Sequence, residues 1–307
     1  MKRVAALDCG TNSIRLLIAE KNLGASAFTE ISRKMSIVKL GEGVDKNKAF
    51  LPDAISRTLA ALTLFAAEIS EAKVEKVRFC ATSATRDAQN RDDFLIPVAQ
   101  ILGITPEVIS GDEEAKLSFL GATQALSKSD GPFLVVDIGG GSTEFVFGSD
   151  HVDAARSVNI GCVRMSERHF KNDPPNQSEI DSARIDIRNA IALAAEVVPI
   201  KNAKTLVAVA GTATTVAAAA LNLAKYDSEL IHLAKISAKE TRRVSDWLLT
   251  LTQQERGNLG YMHPGRVDVI AAGSLVLAEI IETTGLESFV ASENDILDGM
   301  VWSMLNA

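Results

Sequence analysis

VVDIGGGSTEFVFG, residues 135–148, sets three glycines after an aspartate at the end of an apolar run and then resumes apolar residues. A turn between strands needs one glycine, so the extra two demand a purpose. ALDCGTNSIRLLIAE, residues 6–20, follows the same plan: Asp8 matches Asp137, Gly10 matches Gly139 and Ser13 matches Ser142. In each, a short apolar run enters an aspartate, passes a small-residue turn and continues as a second apolar run. Each therefore reads as a β-hairpin whose first strand ends at the aspartate. A whole supersecondary unit occurring twice predicts two halves of similar fold.

Working outward, strands and helices alternate after each hairpin. KVRFCATSA (76–84) reads as a strand, RDAQNRDDFLIPVAQILG (86–103) as a helix, PEVIS (106–110) as a short strand and EEAKLSFLGATQAL (113–126) as a helix. In the second half SEIDSARIDIRNAIALAAEVV (178–198) is helical by its apolar spacing, TLVAVA (205–210) is a strand and TTVAAAALNLA (214–224) a helix. Helices around ETRRVSDWLLTL (240–251) and DVIAAGSLVLAEIIETTG (268–285), the strand SFVAS (288–292) and a closing helix in DILDGMVWSML (295–305) complete it. The expectation is an α/β protein: hairpin strands and helices on a mostly parallel sheet, made twice, with a cleft between like domains. The boundary is placed at SKSDGP (127–132), giving domains 1–126 and 127–292, with the closing helix 293–307 packed back on the first.

Bulk properties narrow the function. The chain of 307 residues exceeds what one core usually fills. Its hydrophobic share of 47% and charged share of 23% are those of an ordinary globular protein. A net charge of −7 argues against a general binder of nucleic acid or membrane surface, without excluding an anion held in a locally positive site. The three cysteines show no metal-ligand spacing and fit a reducing compartment. The first residues lack the apolar core of a signal peptide, so a cytoplasmic location is expected. Residues 205–224 carry no charge over a membrane-spanning length, but their alanines and threonines read as a buried strand, a Gly-Thr turn and a small-residue helix.

A glycine turn after a strand lets several backbone N–H groups converge on one spot, a nest that suits phosphate oxygens. Gly139, Gly140 and Gly141 fit that role, with Ser142 and Thr143 expected to add hydroxyl donors. In the first turn Thr11, Asn12 and Ser13 supply hydroxyl and amide groups and Arg15 a positive charge. Asp8 and Asp137 stand just before these loops, and Glu144 on the outgoing strand is within reach of the same ion. Carboxylates beside phosphate call for a divalent cation, Mg²⁺ or alternatively Mn²⁺. No Walker loop is present. No zinc-type cluster is suggested by the four histidines.

At these residues the sequence resembles the exopolyphosphatase/guanosine pentaphosphatase family, within the actin-like, sugar-kinase-like and Hsp70-like (ASKHA, ribonuclease H-like) fold group. DCGTNSIRLLI resembles its first phosphate motif and DIGGGSTEF its second, with ATSATRDAQN and ISGDEEAKLSFLGA between them. NIGCVRMSE, AVAGTATTVAA and GRVDVIAAG resemble its later signatures. The resemblance covers the whole chain, in the short two-domain form, and implies two actin-like domains and a homodimer.

Hydrolysis of a phosphoanhydride needs a positioned water and charge stabilisation on the transferring group. Ser110-Gly111-Asp112-Glu113 has capping-box spacing, in which Glu113 folds back on the Ser110 N–H and Glu114 is left to point elsewhere. Both glutamates are catalytic candidates, and the resemblance implies that the essential one lies in this element, at Glu114. Arg86 is expected to open a helix and take phosphate oxygens, with Ser83 as a cap and Asn90 on the same face. Arg164, which has Glu167 as an alternative partner, Arg266, Gly211 and Thr212 are further phosphate contacts. His263 reads as structural.

The function expected is Mg²⁺-dependent removal of terminal phosphate from inorganic polyphosphate. Hydrolysis of guanosine pentaphosphate is the alternative. A kinase on the same fold and a non-catalytic phosphate-chain sensor stand further off, the first for want of an acceptor-activating aspartate, the second because the carboxylates are all retained.

Overall fold

The computed structural model describes residues 2–22 and 27–306. The chain divides into two compact units, Met1–Gly121 with Ile296–Ala307, and Ala122–Asp295. The first crossing falls inside the helix Gly111–Thr123, ahead of SKSDGP, which itself holds a single 3₁₀ turn at Lys128–Asp130. The closing helix spans Ile296–Leu305 and lies on the first sheet; Ala307, counted into that helix from the sequence, is outside the described residues.

In unit 1 the strands are β1 (Lys2–Cys9), β2 (Ser13–Lys21), β3 (Thr29–Ile37), β4 (Lys76–Ala81) and β5 (Glu107–Val108), in spatial order β3-β2-β1-β4-β5. β1 is central, which explains its unbroken apolar run: successive side chains point to opposite faces, and both faces are covered. Ala5 and Leu7 join Leu62, Phe65 and Phe94 on one side. Val4 and Ala6 join Leu117, Leu297 and Met300 on the other.

In unit 2, β6 (Phe133–Ile138), β7 (Thr143–Gly148), β8 (Val152–Val158), β9 (Thr205–Val209), β10 (Lys235–Ser237) and β11 (Ser288–Ala291) lie in the order β10-β11-β9-β6-β7-β8. Leu134 and Val136 pack with Ile187, Ile191, Val216 and Leu275 from three helices. The uncharged segment 205–224 is β9 followed by the helix Ala210–Ala220, whose small side chains are nearly all buried. No helix is long and apolar enough to cross a membrane among the described residues.

Several expectations are corrected. The sheets are mixed rather than mostly parallel: β1–β2 and β2–β3 are antiparallel, as are β6–β7, β7–β8 and β10–β11. Each hairpin gains a third antiparallel strand, β3 or β8, that the sequence reading lacks, because TEISRKMSI and VDAARSV are half-exposed and polar. The helix expected over 86–103 is two helices, Ser83–Asp87 and Asp92–Leu102. Asn90 sits at the break rather than on a helix face, accepting from the Phe50 N–H at 2.8 Å and donating to the Phe50 carbonyl at 3.2 Å. Thr82, not Ser83, stands at the N-cap.

Candidate active site

The two hairpin loops close alike. Gly10 N–H donates to the Ser13 carbonyl at 3.0 Å, and Gly139 N–H to the Ser142 carbonyl at 3.1 Å. The likeness extends past the third strand. In unit 1, the N–H of Lys39 meets the Asn12 carbonyl at 2.9 Å and that of Gly41 meets the Thr11 carbonyl at 2.8 Å. In unit 2, the N–H of Gly161 meets the Gly141 carbonyl at 3.2 Å and that of Val163 meets the Gly140 carbonyl at 2.9 Å. Both loops are thus held from behind by a segment with the same two-residue spacing. Among the described residues no protein acceptor takes the N–H of Gly140 or Gly141. The buried Thr11 hydroxyl likewise has no partner among them.

Strand register places the acids. Asp8 faces Arg15 across β1–β2, and Arg15 donates to Asp8 Oδ2 from Nη2 at 2.7 Å and from Nε at 3.0 Å. Asp137 faces Glu144 at the matching position of β6–β7, and both are buried. The same site in the duplicated hairpin is therefore an ion pair in one unit and a pair of acids in the other. Glu144 Oε1 accepts from Ser142 Oγ at 2.8 Å and from Ser157 Oγ at 2.6 Å. Ser157 is on β8, and missing that strand is why sequence reasoning missed it. Among the described residues no three His, Cys, Asp or Glu side chains converge as a metal cluster. Hard oxygen donors in small number nevertheless suit Mg²⁺, which takes one or two carboxylates and completes its shell with water and phosphate oxygens.

Two hydroxyls serve elsewhere than expected. Ser142 donates to Glu144, and Thr143, fully buried, donates to the Ile160 carbonyl at 3.0 Å. The loop is left to offer N–H groups.

Glu114 lies in the first turn of the helix Gly111–Thr123 and is largely buried. Arg86 Nη1 donates to Glu114 Oε2 at 2.7 Å and to the Ile109 carbonyl at 2.9 Å. Arg86, expected on phosphate, is tied to the glutamate. The capping box is half made: Ser110 Oγ accepts from the Glu113 N–H at 3.2 Å, but the Glu113 carboxylate pairs with Arg78 instead of the Ser110 N–H. Arg78 also holds Glu107, and these bonds raise its pKa further. Glu113 is thus half-exposed and committed to an arginine that the sequence did not single out.

In unit 2, Arg164 is buried and its Nε donates to the Gly141 carbonyl at 2.7 Å. Gly211 and Arg266 are in contact: a Cβ on Gly211 would lie 2.3 Å from the guanidinium carbon. Arg266 Nη1 reaches the Gly211 carbonyl and Thr215 Oγ1, both at 3.3 Å. Thr212 is buried beside Cys162, whose thiol is pushed up to about 11 by burial, against a hydrogen bond from Thr212. His263 accepts the Gly265 N–H on Nδ1, a cap to the 3₁₀ turn Pro264–Arg266.

Comparison with known proteins follows the same lines. The profile of the Ppx/GppA phosphatase family matches residues 17–307. The chain is 44% identical to Exopolyphosphatase 2 of Mycobacterium tuberculosis, over 99% of each. It is 31% identical to a guanosine-5'-triphosphate,3'-diphosphate pyrophosphatase of Photobacterium profundum, over 98% of this chain and 59% of that one. Among solved structures, an exopolyphosphatase-like protein superposes with a TM-score of 0.94 at 42% identity, covering 98% of both chains.

Proposed function

The chain belongs to the Ppx/GppA phosphatase family, and from that premise we propose that it hydrolyses the terminal phosphoanhydride of inorganic polyphosphate. The observation that carries this reading is the 44% identity to Exopolyphosphatase 2 from end to end. The guanosine pyrophosphatase relative supports the second reading, guanosine pentaphosphate, and the chain spans only 59% of that protein.

In the proposed reaction Glu114 takes the proton of the attacking water, and Arg86 fixes the carboxylate that does so. The N–H groups of Gly140 and Gly141 meet phosphate oxygens, and Thr11, Asn12 and Ser13 are the phosphate contacts of the unit 1 loop. Arg15, bound to Asp8, and Arg266, folded on Gly211, contribute positive charge near their own loops. Gly211 and Thr212, in the first turn of the helix Ala210–Ala220, are further contacts for the phosphate chain. Asp137 and Glu144 are the residues that would hold Mg²⁺ or Mn²⁺, with Asp8 as the third acid. When bound, the ion neutralises phosphate charge and so allows carboxylates beside a polyanion.

A homodimer and a cytoplasmic setting belong to the same reading. Gel analysis of polyphosphate digests tests the exo character. Release of single phosphates with shortening from the ends is expected; mid-chain fragments without free phosphate contradict it.

A further inference from the structure

The backs of the phosphate loops carry an inference of their own. The N–H and C=O of a trans peptide point in opposite directions. The cis bonds among the described residues are Gly131–Pro132 and Asp173–Pro174, so the loop peptides are trans. The Gly139 carbonyl accepts from the Cys162 N–H at 2.9 Å, which turns the N–H of Gly140 the other way. The Gly140 carbonyl accepts from Val163 at 2.9 Å and from the Arg164 N–H at 3.1 Å, which turns the N–H of Gly141 likewise. The Gly141 carbonyl accepts from the Gly161 N–H at 3.2 Å and from Arg164 Nε at 2.7 Å, and the N–H of Ser142 follows. A carbonyl turned toward a phosphoryl oxygen would set two negative dipole ends against each other, so each carbonyl held behind also removes a repulsion.

We propose that Arg164 and Gly161 are positioning residues of the glycine loop, holding its carbonyls away from a phosphoryl group so that its N–H groups alone face it. The inference rests on the phosphate-binding reading of that loop. Arg164 acts on the loop through Gly141, whose main-chain oxygen its buried Nε holds. Gly161 is required by close approach: a Cβ there would lie 2.3 Å from the Gly140 carbonyl carbon and 2.4 Å from the Gly141 nitrogen. Unit 1 solves the same problem with main chain: Val38, Lys39 and Gly41 hold the Asn12 and Thr11 carbonyls, and a Cβ on Gly41 would lie 2.3 Å from Thr11 Cγ2. In unit 2 a guanidinium joins the main chain.

The test is amide-resolved NMR titration of the wild type, Arg164→Met and Arg164→Lys with inorganic triphosphate, beside steady-state kinetics on polyphosphate. In the wild type the Gly140, Gly141 and Ser142 amides shift on titration. In Arg164→Met those amides are displaced before ligand is added, the Gly10 and Thr11 amides are not, and triphosphate affinity falls about tenfold or more, as loss of a hydrogen bond from a charged group implies. Arg164→Lys, which keeps a charged donor, recovers part of the affinity. Affinity within about twofold of wild type in Arg164→Met, with unshifted loop amides, overturns the inference alone. Wild-type loop amides that ignore triphosphate overturn the phosphate reading and the inference with it. Should Arg164→Met fail to fold, Gly161→Ala is titrated in the same way and the same outcomes decide.

Discussion

Arg86 fastens the Glu114 carboxylate to the residue just past β5, donating to Glu114 at 2.7 Å and to the Ile109 carbonyl at 2.9 Å. One guanidinium bonded to a carboxylate and a main-chain oxygen leaves the acid little rotational freedom. In the proposed reaction that restraint supplies orientation, the part of general-base catalysis that geometry controls.

Glu114→Gln keeps the shape and a hydrogen-bonding oxygen while removing the base. Turnover of polyphosphate is expected to fall by about 10²–10⁴, with polyphosphate binding retained. Single-turnover kinetics and a binding isotherm on the same preparation separate the two. Unchanged turnover would remove Glu114 from the mechanism.

Arg86→Met cuts the carboxylate loose. A hydrogen bond between charged groups contributes about 1.5–3 kcal/mol, so kcat is expected to drop roughly 10–150-fold while KM moves less. Arg86→Lys should recover part of kcat. A change confined to KM would return Arg86 to a direct phosphate contact.

Much of the fold was legible in the sequence, since β1 and β6 carry unbroken apolar runs into Asp-x-Gly turns and that signal is local. The third strands were not. β3 lies at a sheet edge with Ile31 and Met35 exposed, and its pattern lacks the apolar count that marks a strand. The residue types of the site were equally legible, but their partners were not. That Arg15 meets Asp8 while Glu144 meets Asp137 follows from register, which a seven-residue spacing along the chain does not state. Arg78 and Gly161 act through contacts distant in sequence, which a local pattern does not state.

The acid pair and the ion pair at matching positions should differ in metal binding. Asp137→Asn and Glu144→Gln are expected to weaken Mn²⁺ binding, read by the free-ion EPR signal, by at least about tenfold. Asp8→Asn should have a smaller effect, because Arg15 already neutralises that carboxylate. Equal losses for all three would mean that Asp8 is an equal ligand.

Glu279 holds three helices of unit 2 together. It is 1% exposed and takes Arg184, Arg188 and Arg242, while Glu282 on its own helix shares Arg188 and Arg242. Burial pushes its pKa up, but the hydrogen bonds from Arg188, Arg242 and Arg184 outweigh that and the net shift is downward. A depressed carboxyl pKa stabilises the fold above the ordinary value of about 4.3, and the gain is lost as pH falls through the folded value. Glu279→Gln takes the carboxylate from three partly exposed arginines and should cost about 1.5–3 kcal/mol at pH 7, with a smaller difference from wild type in acid. Urea denaturation at both pH values checks this; equal midpoints at pH 7 would contradict it.

The central claim is tested most directly by kcat/KM for phosphate release by the purified protein with Mg²⁺, measured side by side on inorganic polyphosphate and guanosine pentaphosphate. Phosphate release from both substrates is expected, with polyphosphate the better one. Phosphate from neither substrate would contradict it.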